Sequence, residues 1–348
     1  NRHIDMEKII LSENNMTKIS YIVTFPVLNL KHIYNKRLTN LKSNPMKTLN
    51  KYHGVVVPMV TPITKNNEID IDAVKRIINN FAQYNVSALI MGTTGEGNSV
   101  SVESGVKMIK AASEAAAGRI TIYAGLAGNC ISEQYDAAEK FIEAGADVIA
   151  ATLPCYYSLT PKQMYEYYKN LADTLTAPLM LYNITITTHM SIPLDVIEKL
   201  SHHPNIVGLK DSENNIQRME EALTLFSDRE DFAYFCGCAA NSAKALSLGA
   251  DGIVPSVGNY LPKIYNDLFE AGISGNTEIA NDLQAKTIEI GKINTDNLTL
   301  GESLAGLKVI MKMYGLCETY MLPPLTELEE ETVINIQNKV RDIINKYK

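Results

Sequence analysis

The 348-residue chain is poor in the residues that build metal and redox centres. Its five cysteines, Cys130, Cys155, Cys236, Cys238 and Cys317, are odd in number and scattered, with no CxxC pair and no histidine cluster beside them. That spacing excludes a zinc ribbon and a disulfide framework, and it suits a reducing cytoplasm. Histidine is also scarce: His202 and His203 are adjacent and His189 stands alone, so none has the i, i+4 spacing of a metal pair. No apolar run is long enough to cross a bilayer, and the chain reads as soluble and globular. Positive charge is in short supply beyond the first fifty residues. Residues 1–50 hold eight Lys/Arg against three Asp/Glu (+5), and residues 51–348 hold 24 against 36 (−12), which argues against a nucleic-acid partner.

One phrase is present in abundance, a short apolar, β-branched run followed by a helical stretch, repeated eight times from Val55 onward. The runs are Val55–Met59, Ala88–Met91, Ile120–Ala124, Val148–Leu153, Leu179–Tyr182, Ile206–Leu209, Phe232–Phe235 and Gly252–Val254. Helical patterns such as Asp72–Tyr84, Ser101–Ala117, Ser132–Ala144, Pro161–Leu175, Pro193–Leu200 and Asn214–Leu225 separate them. Near-continuous apolar strands are buried on both faces, the signature of a parallel sheet. Eight units predict an α/β fold, a closed (β/α)8 TIM barrel, with an open doubly wound sheet as the alternative. Gly145-Ala146-Asp147 and Gly249-Ala250-Asp251 precede strands four and eight, where glycine stops a helix. Helical segments near Asn276–Ile293, Leu304–Tyr314 and Glu327–Tyr347 follow the barrel.

Three parts are therefore expected: an extension over residues 1–50 outside the fold, a barrel over 51–275 and a helical region over 276–348. The extension is rich in Asn, Lys and Ile and has no acidic residue between Glu13 and Glu68. Its run Ile19–Leu30 resembles a signal core but contains Pro26 and lacks a small-residue cleavage site, and Ser and Arg are scarce for a transit peptide.

In such a barrel the reactive groups stand at the C-terminal ends of the strands. Lys210 closes the run Ile206-Val207-Gly208-Leu209. An amine at an apolar strand end loses solvation, which lowers its pKa and makes it a candidate Schiff-base nucleophile. Taken alone, an ion pair with Asp211 is the commoner explanation for a lysine there. Strand two runs into Gly92-Thr93-Thr94-Gly95-Glu96-Gly97, whose amides and hydroxyls can face a small carboxylate, or which can be an ordinary tight turn. Strand four ends in Pro154-Cys155-Tyr156-Tyr157 and strand five in Tyr182-Asn183. A phenol held there can pass a proton to and from a carbonyl oxygen, although most of the 18 tyrosines must be packing or surface residues.

These motifs, with Leu181-Tyr182-Asn183-Ile184 and Gly208-Leu209-Lys210-Asp211, resemble the dihydrodipicolinate synthase and N-acetylneuraminate lyase group of class I, Schiff-base aldolases, over Tyr52–Leu325. The resemblance implies that Lys210 condenses with pyruvate or another 2-oxo acid and that an aldehyde is the partner substrate. It implies that Thr93, Thr94 and the amides near Gly92 and Gly95 hold the carboxylate, and that Tyr182 carries the proton. Thr93 and Tyr156 would extend a hydroxyl relay, and a tyrosine from a neighbouring subunit implies a homo-oligomer, commonly a tetramer. Gly237 and Val254, at the ends of strands seven and eight, complete the expected substrate-binding set, while Asn183 and Glu96 hold loops. No metal or organic cofactor is implied.

The chain departs from the family pattern at one place. Members acting on aspartate semialdehyde carry an arginine five residues beyond the strand-five tyrosine, where this chain has Thr187 in Thr185-Ile186-Thr187-Thr188-His189. A hydroxyl wall of Thr185, Thr187 and Thr188 suits a polyhydroxylated substrate, so cleavage of a sugar acid of the N-acetylneuraminate or 2-keto-3-deoxy type is the leading expectation. Dihydrodipicolinate synthesis is the second, and a non-catalytic barrel that binds a 2-oxo acid is the alternative of another class. The same threonines could instead bond the loop backbone.

Overall fold

The computed structural model describes residues 51–346. Eight strands form in the order expected: β1 Gly54–Pro58, β2 Ser87–Ile90, β3 Ile122–Leu126, β4 Val148–Thr152, β5 Leu179–Asn183, β6 Ile206–Asp211, β7 Ala233–Cys236 and β8 Gly252–Ile253. All neighbours are parallel, and β1 pairs with β8 through Gly54 with Gly252 and Val55 with Ile253. That last pairing closes the barrel and excludes the open sheet.

Alternation along each strand divides the apolar residues into two layers. Val56, Leu89, Tyr123, Val148, Ala150, Met180, Phe235 and Val254 fill the barrel. Their neighbours, among them Val55, Val57, Ile90, Leu181 and Leu209, face the helices. Both faces are dry, which is why the strands read as unbroken apolar runs.

The helices are α1 Ile71–Gln83, α2 Val102–Ala116, α3 Ile131–Glu143, α4 Pro161–Thr174, α5 Thr185–Thr188, α6 Leu194–Ser201, α7 Ile216–Leu225, α8 Ser242–Ser247, α9 Pro262–Ile273, α10 Thr277–Gly291, α11 Leu300–Met313 and α12 Glu330–Lys346. Side chains start several of them: Asp70 accepts from Ala73 N, Ser101 from Ser104 N, and Thr160 forms a reciprocal box with Gln163 ahead of Pro161. α11 begins at Leu300 and not Leu304, because Thr299 and Glu302 form a second capping box.

Both Gly-Ala-Asp phrases end helices, with Gly145 at φ 104° and Gly249 at φ 98°. Their aspartates do more than punctuate. Asp147 Oδ2 accepts from Ile122 N and Asp251 Oδ2 from Tyr234 N, so each pins the strand that precedes its own. Among the described residues no helix is long and apolar enough to cross a membrane. The expectations for residues 1–50 lie outside the described residues.

Candidate active site

The barrel register sets Tyr182 of β5 directly beside Lys210 of β6, and Thr152 of β4 directly beside Tyr182. All three stand at the C-terminal end of the barrel. Lys210 is 4% exposed, and its Nζ lies over the Tyr182 ring, 3.5 Å from the centroid. Burial pushes the Lys210 amine below the ordinary lysine range, an effect that the adjoining Tyr182 phenol partly opposes. Burial alone would raise the Tyr182 phenol. The Lys210 charge and hydrogen bonds from Lys210, Thr93 and Ser212 outweigh it, and the phenol falls below its ordinary value.

Asp211 does not pair with Lys210. It is the next residue on the strand and faces the other way, where Arg218 Nε donates to Oδ2 at 2.8 Å. Asn183 Nδ2 and Glu213 N donate to Oδ1 at 2.8 and 3.0 Å. Asn183 also donates to Glu213 and accepts from Ile192 N, which fixes the end of β5 and makes it the loop-holding residue that the sequence suggested.

The glycine-rich turn after β2 is a close-packed knot. Gly95 N and Gly97 N both donate to Gly92 O, and Glu96 N donates to Thr93 O. Thr61, itself fully buried, donates to Gly95 O. A Cβ on Gly97 would stand 2.1 Å from Met91 O, and one on Gly125 of β3 would stand 2.4 Å from the same atom. Glycine is required at both positions to let Met91, held at φ 62°, thread between them. The knot sets the Thr93 hydroxyl 3.5 Å from the Tyr182 hydroxyl. Gly92, Thr93, Thr152, Tyr182 and Thr187 then line one cleft, while Thr94 lies partly buried in the same turn.

Several expected site residues lie elsewhere. Tyr156 is turned outward, 76% exposed and packed edge-on against Tyr157. The chain leaves the barrel after the buried Leu153, and Asn129 Oδ1 clamps Cys155 N and Tyr156 N, so the Thr93–Tyr156 relay does not form within this chain. Thr188 is buried, with its hydroxyl between Ile184 O at 2.9 Å and Met190 O at 3.1 Å. Backbone carbonyls occupy that hydroxyl, Thr185 does not line the cleft, and Thr187, which does, also reaches Ile184 O at 3.4 Å, so the predicted threonine wall reduces to Thr187. Val254 belongs to the apolar filling of the barrel. Gly237 serves sterically: its N donates to Asp211 O, and a Cβ there would strike Ser212 Oγ at 2.1 Å.

Two residues that adjoin Tyr182 are not singled out by the sequence, Thr152 and Ser212. Thr152 follows the inward positions Val148 and Ala150 at a spacing of two, a signal that could have found it. Ser212 lies one residue beyond Asp211, and nothing in the sequence set it apart from a loop serine.

The family model for the dihydrodipicolinate synthetase family matches residues 51–346. A 4-hydroxy-tetrahydrodipicolinate synthase of Aquifex aeolicus is 30% identical over 298 residues, 85% of this chain and 98% of the relative. A dihydrodipicolinate synthase structure from Bacteroides thetaiotaomicron superposes with a TM-score of 0.80 at 26% identity, covering 85% of this chain and all of the other. The chloride-inhibited Acinetobacter baumannii enzyme, solved with pyruvate, gives 0.76 at 26% identity over 84% of this chain and 98% of its own. With its barrel closed, its lysine and tyrosine in register and residues 51–346 matched to the family model, the chain belongs to the dihydrodipicolinate synthetase family of aldolase-type lyases.

Proposed function

We propose that the protein forms an imine between Lys210 and pyruvate and joins the resulting enamine to an aldehyde, as a 4-hydroxy-tetrahydrodipicolinate synthase. The observation that carries the reading is the buried Lys210 amine stacked on a phenol that reaches a threonine hydroxyl. The neutral amine attacks the ketone carbon and passes one of its protons to the carbonyl oxygen, and a second proton from Tyr182 lets that oxygen leave as water, giving the iminium. The iminium then withdraws electrons from the neighbouring methyl, which gives a proton back to the Tyr182 phenolate and becomes the enamine. Thr93 Oγ1, 3.5 Å from the Tyr182 hydroxyl, donates a hydrogen bond to the phenolate while it is charged. The pyruvate carboxylate is assigned to the turn around Thr93 and Thr94.

The names of the relatives support synthesis over the sugar-acid cleavage that the threonines first suggested. One observation keeps the second reading in play. Thr187 lines the cleft, and among the described residues lining it there is no arginine to receive a second carboxylate. Borohydride trapping with pyruvate, read by intact and peptide mass with Lys210→Ala as control, tests the imine. Screening aspartate semialdehyde against 2-keto-3-deoxy sugar acids, with wild type and Thr187→Arg, then separates the two. Synthase activity in wild type supports the first reading, and activity only on sugar acids replaces it.

A homo-oligomer is part of the proposal. Tyr156 and Tyr157, 76% and 70% exposed where the chain leaves the barrel after β4, suit a site in a second copy, and light scattering of the purified chain tests whether one forms.

A further inference from the structure

We propose that Glu96 and Lys308 are positioning residues for the turn that receives pyruvate, so that the C-terminal helix α11 sets the affinity of a site it does not line. The inference rests on the imine reading above.

Glu96 is the last residue of that turn before the 3-10 segment and is held in the left-handed region at φ 54°. Its carboxylate points away from the cleft into the packing between the barrel and the C-terminal helices. There Oε1 meets Lys308 Nζ of α11 at 2.5 Å, with the two side chains 0% and 1% exposed. The other oxygen accepts from Leu322 N at 2.8 Å, and Lys308 Nζ also donates to Tyr320 O at 2.7 Å. One ion pair therefore joins three segments: the pyruvate turn, α11 and the chain at 320–322.

Stability alone is a poor reason for this arrangement. Desolvating two charges offsets most of their attraction, and a well-packed apolar pair is often as stable. What a buried, hydrogen-bonded pair supplies is a fixed location, here for a non-glycine residue in an unfavourable conformation. The leverage on the chemistry is short. Glu96 N donates to Thr93 O at 3.1 Å, closing a three-residue span, and Thr93 faces the Tyr182 hydroxyl at 3.5 Å. Thr61 holds the same span from the other side through Gly95 O. Releasing the Glu96 carboxylate leaves Thr93 and its neighbouring amides anchored on one side only.

The test is borohydride trapping of pyruvate on Lys210 as a function of pyruvate concentration, in full-length protein kept well below each variant's Tm. Glu96→Ala, which loses both carboxylate contacts, should raise the half-saturating pyruvate concentration about tenfold, part of the roughly hundredfold that a 1 Å misplacement costs. Glu96→Gln keeps one acceptor oxygen, for either Leu322 N or Lys308 but not both, and leaves the Lys308 ammonium without its anion, so its half-saturation should fall between wild type and Glu96→Ala. A lowered Tm with unchanged half-saturation in folded Glu96→Ala would show a merely structural pair and overturn the proposal. Should Glu96→Ala not fold, the double variant Glu96→Gln, Lys308→Met leaves no unpaired charge and carries the same test. A several-fold rise there supports the tie, and wild-type saturation refutes it. Absence of any adduct in wild type would instead remove the imine reading, and this inference with it.

Discussion

Gly125 is the position at which a single methyl group most directly tests the geometry. It lies in β3, outside the reactive set, with no charge and no hydrogen-bonding side chain to lose. A Cβ there would stand 2.4 Å from Met91 O, 2.7 Å from Met91 C and 2.9 Å from Gly92 N. All three are backbone atoms, so no rotamer change relieves the contact. Restoring an ordinary separation of 3.4 Å requires the start of the turn to withdraw by about 1 Å. The same Met91 carbonyl is blocked from the Gly97 side, so withdrawal must carry the turn away from β3 and take Thr93 with it.

Two magnitudes follow for Gly125→Ala. Overpacking should cost about 1–3 kcal/mol, a loss of several degrees in Tm. Displacing a substrate-facing group by about 1 Å should lower the rate of pyruvate trapping about 100-fold. Calorimetry and borohydride trapping measure the two separately. A variant that traps pyruvate at the wild-type rate and half-saturation would refute the claim that this contact fixes the turn, whatever its Tm.

Tyr182→Phe should keep the Lys210 adduct but lose about 10²–10⁴-fold in steady-state turnover, because the proton carrier is gone while the nucleophile stays; an unchanged turnover number would assign the proton to another group. Trapping at Lys210 should rise with pH through an apparent pKa below 10.5, since the neutral amine reacts and burial disfavours the ammonium; a rising limb centred at or above 10.5 in a trapping profile would contradict this. Arg218→Met leaves the 2%-exposed Asp211 carboxylate without its cation and should destabilise the protein by about 3–5 kcal/mol, seen as a lower urea midpoint at unchanged slope.

The barrel was legible because its physics is local. A strand buried on both faces must be apolar at every position, and eight such runs stand out from polar helices. Lys210 and Tyr182 were legible for the same reason, as polar residues closing apolar runs. What escaped was carried by short or distant features. The six-residue α8 and the four-residue α5 are too brief to show a helical period. Thr187 and Thr188 look alike in sequence, yet the single turn of α5 leaves Thr187 lining the cleft with a long 3.4 Å bond to Ile184 O, and buries the Thr188 hydroxyl between the Ile184 and Met190 carbonyls. Tyr156 looked like a rim residue because β4 ends before it, but the backbone clamp at Asn129 turns the chain outward. The Glu96–Lys308 pair joins two residues that no local pattern connects, one in a turn and the other on a helix that reads as ordinary.

The two dipeptides that end β5 and β6 show why reactive and structural residues alternate here. Tyr182 lies beside Lys210, and Asn183 lies beside Asp211. Because successive side chains leave a strand on opposite faces, the first pair enters the barrel and the second turns toward the helices. The inner pair can react only if its separation is held, and a lysine over a phenyl ring is a weak constraint on its own. The outer pair supplies the constraint: Asn183 Nδ2 to Asp211 Oδ1 at 2.8 Å, braced by Arg218 and Glu213, ties the two strand ends together one residue beyond the chemistry. An aspartate after the lysine is therefore no counter-ion for it. Neutralising Asp211 should loosen the register of Tyr182 and Lys210 and slow trapping without removing the nucleophile. A direct Lys210–Asp211 pair would predict the reverse, a freed amine and faster trapping, so the sign of the change for Asp211→Asn decides between them.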